Sequence, residues 1–260
     1  MGNAAFESGA WDTAHTHYRE ALDLSRAAGD MGGRAAAANN LGALANASGR
    51  PAEAIRWYES AVQAFRSLGN ELGIARACHN LGLSYTDLED WPRAEAYLDE
   101  SRALSTRLRR PELTAMTQLH MGDLHARRGR LDDARADARR ALSMFRKRAD
   151  RAGEADALRI LGAVHRAAGE LEQAAHALER SLEINRACGH RLQWAETRIE
   201  MGKVERALGD ERRAAACFAD ARAAFLEVGA TGAARAVEAL AGRAATQTSS
   251  SPAPKEASHA

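Results

Sequence analysis

Gly202-Lys203 is where phosphate chemistry could be sought in this sequence, because a glycine followed by lysine closes the loop that cradles nucleotide phosphates. Thr197 stands where that loop's first glycine belongs, and Val204 where Ser or Thr would coordinate magnesium, so the stretch reads as a helical segment. For metal chemistry, His15 and His17 are two residues apart. On a helix that spacing turns them about 200° apart, and no carboxylate or cysteine completes a ligand set. His125 and His165 recur at the position of Tyr85, which points to packing or groove lining. Cys78, Cys188 and Cys217 are widely spaced and form no CxxC or Cys-His cluster, so neither a disulfide framework nor a zinc site is expected. HExxH, GxSxG and GxGxxG are absent. The expectation is a protein that is not an enzyme and carries no cofactor or metal.

The elements that would hold any working side chains are announced by a repeat. A Leu-Gly or Met-Gly pair returns every 40 residues: Leu41-Gly42, Leu81-Gly82, Met121-Gly122, Leu161-Gly162 and Met201-Gly202, with Met1-Gly2 in the same register. Gly9, Gly49, Glu89, Gly129, Gly169 and Gly209 form a second column, expected to be left-handed helix C-caps. Ala14, Ala54, Ala94, Ala134, Ala174 and Ala214 follow. Four residues on lie Tyr18, Tyr58, Leu98, Ala138, Leu178 and Phe218, and three further Ala21, Ala61, Ser101, Ala141, Ser181 and Ala221. Steps of four and three keep one helix face inward, and small residues let a partner helix come close. Each repeat is therefore expected to be an antiparallel helix pair whose Leu-Gly marks the crossing. The pairs stack to bury a continuous core in an all-α solenoid.

Composition agrees. The chain of 260 residues is 45% hydrophobic but only 5% aromatic, so alanine and leucine supply the apolar mass, and proline falls mostly at segment edges. No apolar run reaches the roughly 20 residues a membrane span needs, and the first residues lack the order of a signal peptide. A protein of the reducing cytoplasm, without membrane contact, is expected. The columns give a half repeat at 1–34 (a truncated helix A plus helix B), five repeats at 35–74, 75–114, 115–154, 155–194 and 195–234, and a capping helix at 235–245. The tail at 246–260, "TQTSSSPAPKEASHA", has no apolar periodicity and is expected to be disordered.

Leu81-Gly82-Leu83-Ser84-Tyr85, with alanine, large and small columns at fixed offsets, resembles the tetratricopeptide repeat over residues 1–234. The unit here is 40 residues where the usual one is 34. This long form is similar to the repeats of LGN-type adaptors and to the arrays following NB-ARC and other signalling ATPase domains in bacterial regulators. The resemblance implies a right-handed superhelix whose concave groove, lined by helix A, takes a partner protein or peptide.

On the matching positions that groove comprises Asn39, Asn40 and Asn46, then His79, Asn80 and Asp87, then Leu119, His120, Asp123 and Arg127. Arg159, Ile160 and Arg166 follow, then Ile199, Glu200, Lys203 and Arg206. Asn40 and Asn80 are equivalent, and a primary amide both donates to and accepts from a peptide backbone, which makes them the candidate anchors. The carboxylate clamp of the chaperone-tail binding subfamily is not matched, since Asn39 and Ala43 stand at its first two positions.

Residues 107–151 carry thirteen basic residues against six acidic ones in a chain of net charge +1. With no interleaved aromatics this reads as a solvated face rather than a nucleic-acid site. At the other end, a shortened first helix A is expected to leave Trp11, Tyr18 and Leu22 of helix B uncovered, as a surface for self-association or an upstream domain. The functional expectation is an interaction scaffold, the docking or sensing array of a larger regulatory system. The rivals are a ligand- or peptide-sensing regulator whose effector domain lies outside the chain and, behind it, a nucleic-acid binder using the basic patch.

Overall fold

A computed structural model describes residues 2–7 and 10–248 of the chain, and thirteen α-helices and no strand lie among the described residues. Helix α1 (Gly2–Glu7) leads into α2 (Trp11–Ala27). Then α3 (Met31–Ala47) pairs with α4 (Pro51–Ser67), α5 (Glu71–Asp87) with α6 (Trp91–Arg107), and α7 (Pro111–Arg127) with α8 (Leu131–Lys147). Next α9 (Arg151–Ala167) pairs with α10 (Leu171–Cys188) and α11 (Arg191–Ala207) with α12 (Glu211–Glu227), before α13 (Thr231–Thr248). Two compact units part between Arg148 and Ala149. Within each, every helix packs on its sequence neighbours, the antiparallel pairing that the columns require.

The hairpins begin at Met31, Glu71, Pro111, Arg151 and Arg191, four residues ahead of the frames drawn from the columns. The columns mark buried side chains, whereas a helix starts where its first amides find an acceptor. Asp30, Asn70 and Asp150 accept from the backbone N–H of Gly33, Gly73 and Gly153 at 3.0, 2.9 and 2.9 Å. Pro51 and Pro111 open α4 and α7 instead, at a position whose N–H has no helical partner to lose. The last helix starts before the expected 235–245 and runs on through residues 246–248, as its alanine-rich sequence favours. The remainder of the expected tail lies outside the described residues.

From α2 to α12 the helices have seventeen residues and the links three, save that α10 has eighteen and its link to α11 two, so the backbone period is half the sequence period. From the α2–α3 link onward one residue of each link is left-handed. Glycine usually supplies that conformation, but Glu89, Arg109 and Ala149 adopt it at φ 58, 51 and 55°. Gly9 of the expected turn column lies outside the described residues.

The crossing works as the columns predict. A Cβ on Gly42 would stand 2.6 Å from the Tyr58 ring, and on Gly82 or Gly162 2.5 Å from Cγ of Leu98 or Leu178. The alanine column from Ala14 to Ala214 is fully buried. Of the small column only Ala21 is exposed. A further alternation concerns the helix-B ends. Ser25, Phe65, Ser105, Phe145, Asn185 and Phe225 are equivalent, and the positions eight residues on are Gly33, Gly73, Leu113, Gly153, Gln193 and Ala233. Every phenylalanine is followed by glycine or alanine, and a Cβ on Gly73 would meet the Phe65 ring at 2.5 Å. The volume is shared between the two positions.

Candidate functional site

In the first unit, α3 and α5 present an amide ladder. Asn40 Nδ2 donates to Asn3 Oδ1 at 3.4 Å, Asn80 Nδ2 to Asn39 Oδ1 at 3.2 Å, and Ser84 Oγ to Asn46 Oδ1 at 3.2 Å. Asn39, Asn40, Asn46 and Asn80 are all half-buried. Beside them a cleft of about 380 Å³ is lined by Ala36, Asn39, Asn40, Phe65, Leu72 and Arg76. It joins an apolar floor to amides and one guanidinium. The bond from Asn80 to Asn39 engages one group of each side chain, and the Asn39 amide N–H and the Asn80 carbonyl oxygen stay available to an outside chain.

Three expected groove residues are buried. His79 is 4% exposed, with Nδ1 3.0 Å from Thr117 Oγ1 and its ring edge-on to His120 at 4.8 Å. Burial first, and then the neighbouring His120, hold its pKa well below the usual histidine value, so the ring is neutral. Leu119 and Ile160 are buried as well. At the position two before Leu-Gly, His79 turns toward the next helix A, where it finds Thr117. His120 is half-buried on this face. Further along, Arg127 binds Asp87 at 3.3 Å and Asp123 at 2.9 Å.

The second unit's helix-A face is ionic instead. Arg159 meets Glu196 at 3.5 Å, Arg166 meets Glu200 at 3.5 Å, and Lys203 reaches the same Glu200 at 2.6 Å. Asp156 lies 4.0 Å from Arg159, and burial raises its pKa above the usual carboxylate value. Ile199 is half-buried, and Arg206 turns away to donate to the Leu240 carbonyl at 3.3 Å. That bond ties α11 to α13, whose Val237 is buried against α12.

His125 and His165 are held by carboxylates of their own hairpins. His125 Nδ1 lies 2.9 Å from Asp137 Oδ2, whose other oxygen accepts from Gln118 at 2.6 Å, and His165 pairs with Glu170. The column of Tyr85 gave no sign of Asp137, because Asp137 lies in the column of Trp57 and Tyr97. Comparing what faces each helix-A column would have found it. Among the described residues no group of His, Cys, Asp and Glu could hold a metal ion. Cys78 and Cys217 are buried and Cys188 exposed, and burial pushes the Cys78 thiol up to about 12.

The surface charge and the N-terminal end follow. The basic stretch is largely paired within the chain: Arg107 with Glu71, Arg128 and Arg130 with Glu95, Arg148 with Glu112. At the N-terminal end Tyr18 and Leu22 are buried, because α1 reaches over Tyr18, whose hydroxyl donates to Asn3 at 2.9 Å, and α3 contributes Ala37, Leu41 and Leu44 to the same cluster. Six helical residues suffice to cover what seemed to need a full helix A. Trp11 and Leu24 remain exposed. No described helix is long and apolar enough to cross a membrane.

The tetratricopeptide repeat profile matches residues 1–67, 33–107, 73–147 and 113–187. The chain belongs to the tetratricopeptide repeat family. Tonsoku-like protein of Drosophila melanogaster is 27% identical over 112 residues, 43% of this chain, which spans 8% of that protein's length. Among solved structures, BtubC from P. vanneervenii is similar at a TM-score of 0.62 and 25% identity, over 72% of this chain and 78% of that one. A Rap protein complexed with competence and sporulation factor is similar at 0.71 and 12% identity, over 95% of this chain and 73% of that one.

Proposed function

We propose that this chain is a non-catalytic interaction module of the cytoplasm, and that the helix-A face of α3 and α5 takes an extended segment of a partner polypeptide. The observation that carries the reading is the cleft of about 380 Å³ in which Phe65 and Leu72 offer apolar contact beside Asn39 and Asn40. An extended backbone presents alternating N–H and C=O groups, and a carboxamide meets either. The Rap protein of the same fold is complexed with competence and sporulation factor, which gives a precedent for a ligand on such an array.

A display-selected peptide supplies the test. A photo-crosslinking side chain at Ala36, which lines the cleft, should capture it, and one at exposed Gln63 on α4 should not. Asn40→Ala with Asn80→Ala should weaken binding about tenfold while helicity and Tm stay close to the parent. Equal capture from both positions, or an unchanged Kd in the double variant, would remove the cleft from the reading.

A further inference from the structure

The second unit holds a cleft away from the amide ladder, about 460 Å³ in volume, formed where α10 ends and α11 begins. It is lined by Asn185, Arg186, Gly189, Arg191, Trp194 and, from α12, Asp220. Asn185 stands where Phe65, Phe145 and Phe225 fill the equivalent space. Its side chain is 1% exposed, and its Nδ2 lies 3.5 Å from Ser181 Oγ and 3.4 Å from Thr197 Oγ1. Both hydroxyls lie 2.8 Å from backbone carbonyls, Ser181 from Ala155 and Thr197 from Gln193, and 3.2 Å from each other, and a hydrogen donated to any of these partners is not available to Asn185. They can only accept from Asn185, which fixes the amide's orientation. Oδ1 is then a buried acceptor that meets no donor.

The charges around it are unequally engaged. Arg191 forms two bonds to Glu227 at 2.7 and 2.9 Å, Arg198 pairs with Asp220, and both guanidiniums pack on Trp194 at 5.0 and 5.7 Å. Arg186 is exposed on the cleft wall and meets no carboxylate among the described residues. The unspent chemistry is thus one buried acceptor and one cation on adjacent residues. A further cationic donor would be repelled by Arg186, and a bare anion would leave Oδ1 unsatisfied.

We propose that this cleft is a second ligand site, which takes an acidic residue of an extended peptide. A peptide N–H is donated to Asn185 Oδ1, and the side-chain carboxylate pairs with Arg186. The volume lies within the range of pockets that hold small ligands. Nothing in the site depends on the α3–α5 cleft.

The indole N–H of Trp194, assigned among the chain's four tryptophans through Trp194→Phe, reports occupancy by NMR. The probe is the blocked tripeptide acetyl-Gly-Asp-Gly-amide, with acetyl-Gly-Asn-Gly-amide and acetate as controls lacking the carboxylate and the N–H. The aspartyl peptide should shift the Trp194 signal saturably and bind about tenfold or more tightly than either control. Asn185→Phe with Gln193→Gly installs the chain's own Phe65–Gly73 solution and should abolish the shift. Arg186→Gln, at an exposed position, should weaken binding about tenfold without affecting folding. Asn40→Ala with Asn80→Ala should change nothing, which separates this site from the α3–α5 reading. No saturable shift, equal binding of the asparaginyl peptide, or an unaltered response in Arg186→Gln would overturn the proposal.

Discussion

The hairpins α5–α6 and α7–α8 are neighbours with the same backbone and opposite fillings. In the first, Tyr85 stacks on Tyr97 with ring centroids 5.6 Å apart, and Leu98 fills the crossing against Gly82. In the second, the same positions hold His125, Asp137, Ala138 and Gly122, and the contact is a hydrogen bond of 2.9 Å in place of a ring stack. A Cβ on either glycine would stand 3.3 Å from the facing helix backbone, at Ala94 O in one and Ala134 O in the other, so the helices approach equally. What differs is matched filling. Aromatic answers aromatic, and acid answers imidazole and amide. The repeat geometry tolerates either set provided it changes as a set.

The largest break is expected in the apolar hairpin. Leu98→Ala removes a fully buried side chain and should cost about 3–4 kcal/mol by urea unfolding. In the polar hairpin, Asp137→Ala strands the Gln118 amide and His125 Nδ1 together and should cost about 2–3 kcal/mol. Asp137→Asn keeps an acceptor and should recover part of the loss. If Asp137→Ala leaves the urea midpoint unmoved, the polar set is passive filling. Gly82→Ala should cost about 1–3 kcal/mol by overpacking Leu98. Combined with Leu98→Ala it should cost clearly less than the sum, because the new methyl enters the vacated space. Strict additivity would mean that the two side chains do not share one volume.

These contrasts show what the sequence could and could not disclose. The Leu-Gly, alanine and large columns fixed helix pairing and crossing because each reports one buried face of one helix. The groove register was legible in part. Asn39, Asn40 and Asn80 are half-buried on α3 and α5, whereas His79 found Thr117 across the repeat and went inward. The network of Asp137 and the cleft at Asn185 were not read, since both depend on which column of one helix meets which column of the next. The paired alternation of Phe65 with Gly73 and Asn185 with Gln193 carried that information in the sequence.

His79 sharpens the comparison by pH. Its folded pKa lies below the unfolded value of about 6.5, so between the two the unfolded chain binds more protons. The stability it contributes is present above about pH 6.5 and is lost as pH falls toward the folded pKa, by up to about 1.4 kcal/mol per pH unit. His79→Asn should flatten the fall in urea midpoint between neutral pH and about pH 5 relative to the parent. A parallel slope in the variant would show that His79 takes up a proton as readily in the fold as in the unfolded chain.

The smallest effect lies in the turns inside these two hairpins. Glu89 links α5 to α6 at φ 58°, and Gly129 links α7 to α8 at φ 74°. Both are exposed, and a Cβ on Gly129 would meet no heavy atom within 4 Å, so no steric clash enters and only backbone preference distinguishes the sites. A side chain in the left-handed region costs about 1–2 kcal/mol. Glycine loses about 0.4–1 kcal/mol of that advantage through the greater freedom of its unfolded chain. Glu89→Gly should therefore stabilise by about 0.5 kcal/mol and Gly129→Glu destabilise by a similar amount, with Tm moving in opposite directions. Movement in the same direction would mean that the Glu89 side chain, and not its backbone, sets the stability of the α5–α6 turn.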